Sequence, residues 1–177
     1  MMYFVLSGLV FAIDWVSKRM IENKLDLHEE ISVIGDFFII TSFRNTGAAF
    51  SLLENQRVFF LIVTIVVTAG IVWYMARTVR NNGKALLLSG LALVLGGALG
   101  NFIDRARAGE VVDFLQFTFG SYTFAIFNLA DTAICIGVGM ILLDSLLGAR
   151  AEKAAAAQTA AASGANLQPD YDRKDRT

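Results

Sequence analysis

Apolar residues along this chain gather into four long runs separated by mixed polar stretches. The runs cover about 1–20, 58–75, 85–103 and 122–147. Roughly 20 consecutive apolar residues span a bilayer's hydrocarbon core as a helix. The pattern therefore predicts an α-helical integral membrane protein. The first run is interrupted by Asp14. It has no basic segment before it and no small-residue cleavage site after it, so a retained helix is expected in place of a cleaved leader. Between the first two runs, Ile31–Ile34 and Phe37–Phe43 are short β-branched and aromatic stretches split by the turn pair Gly35-Asp36. They predict two or three strands lying over the membrane surface.

Composition strengthens this picture. Hydrophobic residues make up 55% of the 177 positions and charged residues 18%, and there are 14 phenylalanines. With a mean hydropathy of +0.56, the chain lies far from a soluble domain's average. A net charge of −1 and the lack of a basic, aromatic-interleaved patch give no reason to expect nucleic-acid binding. One cysteine excludes an intrachain disulfide and a cysteine-clustered metal site. The lone His28 sits in a polar stretch and reads as a loop residue, so no metal and no cofactor is expected. One membrane-embedded domain over 1–150 is expected. The Ala-rich and then charged segment 151–177 is expected to be a disordered cytoplasmic tail.

Four spans put both termini on one side. The acid-free loop Ala76–Lys84 carries Arg77, Arg80 and Lys84, and the positive-inside rule assigns it to the cytoplasm. The long first loop is also basic, but it is neither short nor free of acids. Both termini are then cytoplasmic, and Asp14, Asp113 and Asp131 fall at the outer face.

The stretch Gly96–Asp131, GGALGNFIDRARAGEVVDFLQFTFGSYTFAIFNLAD, concentrates polar groups beside apolar runs. Each ionisable group at bilayer depth costs about 2.5–3.5 kcal/mol on insertion scales unless paired or facing a cavity. Gly97, Asn101 and Arg105 recur every four residues and line one helical stripe. Gly96 and Gly100 form a GxxxG pair suited to helix packing. Asp14 and Lys18 share a face of the first helix, as Asn128 and Asp131 do on the fourth. Asp113 lies across a strand-like loop from Asp131. Two carboxylates held close cannot both ionise cheaply, so one keeps a proton and the pair can work as acid and base. Spacing also allows each acid to pair instead with Arg105 or Arg107. Ser17 and Lys18 are adjacent, about 100° apart on a helix, which disfavours a Ser–Lys dyad. Cys135 is expected to be a small core residue. A proton-coupled transporter would spread its acids through the bundle, whereas these cluster toward one face.

Five segments, DWVSK (Asp14–Lys18), RNTGAAFS (Arg44–Ser51), GGALGNFIDR (Gly96–Arg105), VVDF (Val111–Phe114) and FNLAD (Phe127–Asp131), occur in an order that resembles the bacterial lipoprotein signal peptidases, or signal peptidase II, which are membrane aspartyl proteases. The resemblance implies that Asp113 and Asp131 form a catalytic dyad. It implies that Asp14, Lys18, Asn45, Gly47, Gly97, Asn101, Arg105, Asn128 and Ala130 shape or support the site. It further implies a four-transmembrane-helix bundle with a small extracytoplasmic β-cradle and a helix near the membrane surface. The implied substrate is a prolipoprotein whose lipobox cysteine carries a diacylglyceryl group, cut on the amino side of that cysteine. Membrane lipid and globomycin-type peptide antibiotics are the other implied partners. The implied location is the bacterial cytoplasmic (inner) membrane, with the site at the periplasmic, outer face. Two positions depart from the family's usual pattern: Ala125-Ile126, where a proline is common, and Thr132, where a serine is. A reporter fused after Arg80 should be active only in the cytoplasm; activity confined to the opposite side would reverse the topology.

Overall fold

In the computed structural model, residues 1–47, 55–80 and 84–165 are described. Among the described residues, four long helices and four strands occur in the order α1 (Met2–Lys24), β1 (Glu30–Ile34), β2 (Phe38–Asn45), α2 (Arg57–Arg80), α3 (Ala85–Ala108), β3 (Val111–Phe119), β4 (Tyr122–Thr123) and α4 (Leu129–Ala165). Segments Arg57–Val79, Ala85–Ala108 and Leu129–Ala156 are long and apolar enough to cross a membrane. The last four residues of RNTGAAFS and the end of the tail lie outside the described residues. The chain divides into two compact units, residues 1–141 and 142–177, and the second begins within α4.

Helix α1 is built inside out relative to a helix of a water-soluble protein. Its buried residues are Ser7, Asp14 and Lys18, while Val5, Leu9, Ile13, Val16 and Met20 face outward. Buried polar groups are costly unless they find partners, and these three turn inward to theirs.

Helix α3 is the central element, packing against both α1 and α2. Its Leu88, Leu91, Ala92 and Leu95 form a core with Met75 of α2. Small residues permit the closest approaches. A Cβ built on Gly96 would stand 2.6 Å from the Ser7 carbonyl oxygen of α1. One on Gly100 would overlap the Asp14 carboxylate. The GxxxG pair thus faces α1, as a packing motif should. Gly90 and Gly97 face α4 instead, with their built Cβ atoms 2.7 Å from Gly137 O and 2.5 Å from Ala130 O.

The strands form one antiparallel sheet in the order β1-β2-β3-β4. Gly35, with φ of +49°, makes the turn of the first hairpin, a conformation that glycine adopts without a steric penalty. Where β2 meets β3, Phe43 pairs with Asp113 and Asn45 with Val111, after a bulge between Ile40 and Phe43. This register carries Asp113 to the end of the sheet nearest the helices.

Two boundaries differ from expectation. The fourth apolar run does not start a helix at Tyr122. Tyr122 and Thr123 form β4 after a turn at Gly120, and Phe127 bridges to Leu115, so α4 begins only at Leu129. β-Branched and aromatic residues such as these favour strands when a neighbouring strand is there to pair with. The tail expected to lose structure from 151 continues as helix to Ala165, as its alanines favour.

Gly90→Ala and Gly96→Ala should each destabilise the protein by about 1–3 kcal/mol, because the clash is with backbone that cannot swing away. Gly70→Ala, whose built Cβ meets nothing within 4 Å, should be neutral or stabilising; thermal unfolding in detergent separates the two classes.

Candidate active site

Asn128 immediately precedes α4 and ties its first turn to β3. Its Oδ1 accepts from Asp131 N–H at 2.9 Å, while Asp131 Oδ2 accepts from Asn128 N–H at 3.2 Å. This is the reciprocal pattern of a capping box, which satisfies two otherwise orphaned donors. Asn128 Nδ2 then donates to Asp113 Oδ1 at 2.7 Å. One asparagine therefore starts the helix and bridges both acids.

The other oxygens of the two acids are held by neutral amides. Asn45 Nδ2, at the end of β2, donates to Asp113 Oδ2 at 2.9 Å. Asn101 Nδ2, on α3, donates to Asp131 Oδ1 at 2.8 Å. No ion pair joins either acid to an arginine among the described residues. Asp113 is almost fully buried. Burial is the main cause that pushes its carboxyl up to about 7, and the nearby Asp131 charge adds to it. Hydrogen bonds from Asn45 and Asn128, and the Lys18 charge, pull the other way and are outweighed.

Behind the acids lies a charged hub. Lys18 Nζ reaches Asn101 Oδ1 at 2.9 Å, Asp14 Oδ2 at 2.8 Å and Asp104 Oδ2 at 2.8 Å. Asp14 Oδ1 in turn accepts from Ala130 N–H at 2.8 Å, so a carboxylate of α1 caps the first turn of α4. Gly97 lets that turn close on α3, and Ala130 is fully buried there. Arg105 stands to the other side, its guanidinium donating to Gly47 O at 2.8 Å and lying 4.7 Å from the centre of the Phe60 ring. Gly47 N–H closes a turn onto Asn45 Oδ1 at 2.9 Å. All eleven residues singled out in the sequence thus fall in one connected cluster.

A cavity of about 570 Å³ opens on the acids. Asn45, Asn101, Arg105, Asp113 and Asp131 give it a polar end, and Phe124–Phe127 with Ile134 and Ile136 an apolar one. A second hollow of about 640 Å³ between α1, α2 and α3 has no ionisable residue in its lining. Two features were not foreseen. Cys135, expected in a core, is exposed and lines the cavity. Asp104, which directly follows the third apolar run, holds Lys18; its three-residue spacing from Asn101 on one helix is the available signal.

A buried carboxylate, Asp113, and a half-buried one, Asp131, bridged by one asparagine beside a half-apolar cavity in a membrane protein, define a candidate acid–base hydrolase site. Two solved structures described as a bacterial membrane enzyme determined by the in meso method, at 2.3 Å and 1.9 Å resolution, share the fold. TM-scores are 0.75 and 0.72, each at 35% identity over 82% of this chain and covering 87% and 92% of theirs. The family model described as signal peptidase (SPase) II matches residues 6–147, and the chain belongs to that family. A lipoprotein signal peptidase of Brevibacillus brevis is 48% identical over 83% of this chain and 96% of its own. One of Bacillus pumilus is 42% identical over 86% and 97% respectively.

Asn128→Asp keeps an oxygen for the helix cap but loses the donor to Asp113 and adds a third acid. Peptidase activity should fall by about 100-fold or more, with helical content by circular dichroism unchanged; equal loss of both would make Asn128 a folding residue only.

Proposed function

We propose that this protein removes the signal peptide from diacylglyceryl-modified prolipoproteins, cutting on the amino side of the lipidated cysteine with Asp113 and Asp131 as its acid pair. The observation that carries the reading is the bridge from Asn128 to both carboxylates at the mouth of the cavity. Family membership and relatives named lipoprotein signal peptidases support the substrate class.

In the proposed reaction the pair holds one proton, on Asp113, whose carboxyl is raised to about 7. Asp131 takes a proton from a water molecule as its oxygen attacks the scissile carbonyl carbon. Asp113 gives its proton to the carbonyl oxygen, forming a neutral tetrahedral diol. The C–N bond then breaks: Asp113 recovers a proton from a diol hydroxyl, and Asp131 passes its proton to the departing α-amine of the lipidated cysteine. The apolar end of the cavity, with Ile134 and Ile136, suits the acyl chains, while Arg105 and Asn45 present donors near the peptide.

In this reading α1 is the fourth membrane span, its Asp14 and Lys18 hidden against α3 and α4. The sheet is a cradle on the outer side of the cytoplasmic membrane, and both termini are cytoplasmic. Residues 1–150 make up the working domain. A globomycin-type cyclic peptide would compete for the same cavity.

The test is incubation of the purified protein with a diacylglyceryl-modified lipobox peptide. Wild type should release the signal peptide, and kcat/KM should decline as pH rises past about 7, because deprotonating Asp113 removes the acid. Asp113→Asn and Asp131→Asn should each lose about 1,000-fold or more while remaining folded. Normal processing by either variant would sink the assignment.

A further inference from the structure

Among the charged groups of the cluster that take no part in these proton transfers are Lys18 and Asp104, which pair with each other. We propose that the buried Lys18 ammonium, held in place by Asp104, sets from behind the pH at which the acid pair works and fixes how Asn101 presents its amide, which makes Asp104 a positioning residue of the reaction. The inference rests on the acid-pair reading.

Its geometry is over-determined. The Lys18 ammonium donates to Asn101 Oδ1 and forms ion pairs at 2.8 Å with Asp14 Oδ2 and Asp104 Oδ2, and its side chain is 2% exposed. Asn101 Oδ1 also accepts from Asn128 Nδ2 at 3.2 Å. A flipped Asn101 amide would therefore aim its NH₂ at an ammonium and its carbonyl at the Asp131 carboxylate. The ammonium forbids that, and the donor stays on Asp131. Asp104 is the least enclosed of the ammonium's carboxylate partners, at 13% exposure. It lines a cleft of about 220 Å³ with Val112, whereas Val111 and Asp113 line the acid cavity, so the two hollows lie on opposite faces of β3.

Charged groups around Asp113 come from three elements. Helix α4 supplies Asp131, α1 supplies Lys18 with Asp14 behind it, and α3 supplies Arg105 and Asp104. Strand β2 supplies the neutral Asn45, while its Arg44 lies toward Glu110 in the opposite cleft. A positive charge at Lys18 favours the ionised form of Asp113, and a negative charge at Asp104 offsets it. Removing one or the other must therefore move the pair in opposite directions.

The experiment measures kcat/KM against pH for Lys18→Met, Asp104→Asn and Glu22→Gln in the full-length protein. Lys18→Met should move the alkaline limb to higher pH and Asp104→Asn to lower pH, each by roughly half a unit, the order expected for one charge nearby in a partly buried site. Glu22→Gln, a charge change of the same sign as Asp104→Asn in the same cleft but one that leaves Lys18's partners intact, should leave the limb in place. Loss of rate with an unmoved limb in both Lys18→Met and Asp104→Asn would reduce the pair to a structural role and overturn the proposal. Shifts of the same sign, or an equal shift from Glu22→Gln, would overturn it too. Should Lys18→Met fail to accumulate because Asp14 and Asp104 are left unpaired, Asp104→Asn decides alone, since the asparagine oxygen still accepts from Lys18. The acid-pair reading fails separately, through activity in Asp113→Asn or Asp131→Asn.

Discussion

A single buried ammonium constrains this structure more than any other group. An unpaired buried charge is costly, and a lysine ammonium carries three donors. Lys18 ties α1 to α3 by a hydrogen bond to Asn101 and ion pairs with Asp14 and Asp104. Asp14 extends the arrangement to α4 by capping Ala130 N–H. Three helices are thereby fixed at one height relative to each other. The requirement explains why α1 turns its polar residues inward, and why Gly97 and Gly100 lie where α3 meets α4 and the Asp14 carboxylate. Side chains at those positions would hold the backbones too far apart for the short contacts to form.

The sheet solves the complementary problem of bringing an acid from outside the helices to the same place. Strand β3 leaves α3 after Gly109, whose φ of +85° ends the helix and turns the chain. Pairing with β2 then sets Asp113 beside Asn45, and the Phe127 bridge returns the chain to Asn128. The capping box has a consequence for chemistry. A carboxylate that closes such a box sits three residues after the cap, so the asparagine that starts α4 also determines where Asp131 points. Rigidity at the helix start and placement of the acid are one feature.

How much of this could be read in the sequence depends on how local each determinant is. The apolar runs of α2 and α3 were plain because length and hydropathy alone mark a membrane helix. The first hairpin was legible from Gly35-Asp36 between β-branched runs. The start of α4 was not, since Phe124–Phe127 is equally apolar as strand or helix, and only pairing with Leu115 decides between them. The cost of the acids suggests a site, while spacing alone also allows each to pair with Arg105 or Arg107. In the structure Arg105 donates to Gly47 O and faces the Phe60 ring, Arg107 lines the opposite cleft, and no ion pair joins either arginine to Asp113 or Asp131 among the described residues. The link from Lys18 to Asp104 joins helices far apart in the chain and leaves no local trace beyond helical spacing. Cys135 looked internal because a thiol in an apolar run usually packs, and only the cavity's shape exposes it.

Charge balance gives the proposed division of labour between the acids a physical basis. Asp14, Asp104, Asp113 and Asp131 cluster with two cations, Lys18 and Arg105, so full ionisation would leave an excess of negative charge in a poorly solvated place. The least costly relief is one proton on a carboxyl that lacks a direct cationic partner. Asp14 and Asp104 each touch the Lys18 ammonium. Asp113 is held by the neutral amides of Asn45 and Asn128, is nearly dry, and has Asp131 for a neighbour. The same neutral surroundings that make ionisation expensive leave its proton available to a substrate oxygen entering the cavity. A lysine or arginine bonded directly to Asp113 would have held it as a carboxylate and removed the acid. The cation instead stands one residue back, behind Asn101 and Asn128, close enough to hold the helices and too far to hold the proton's place.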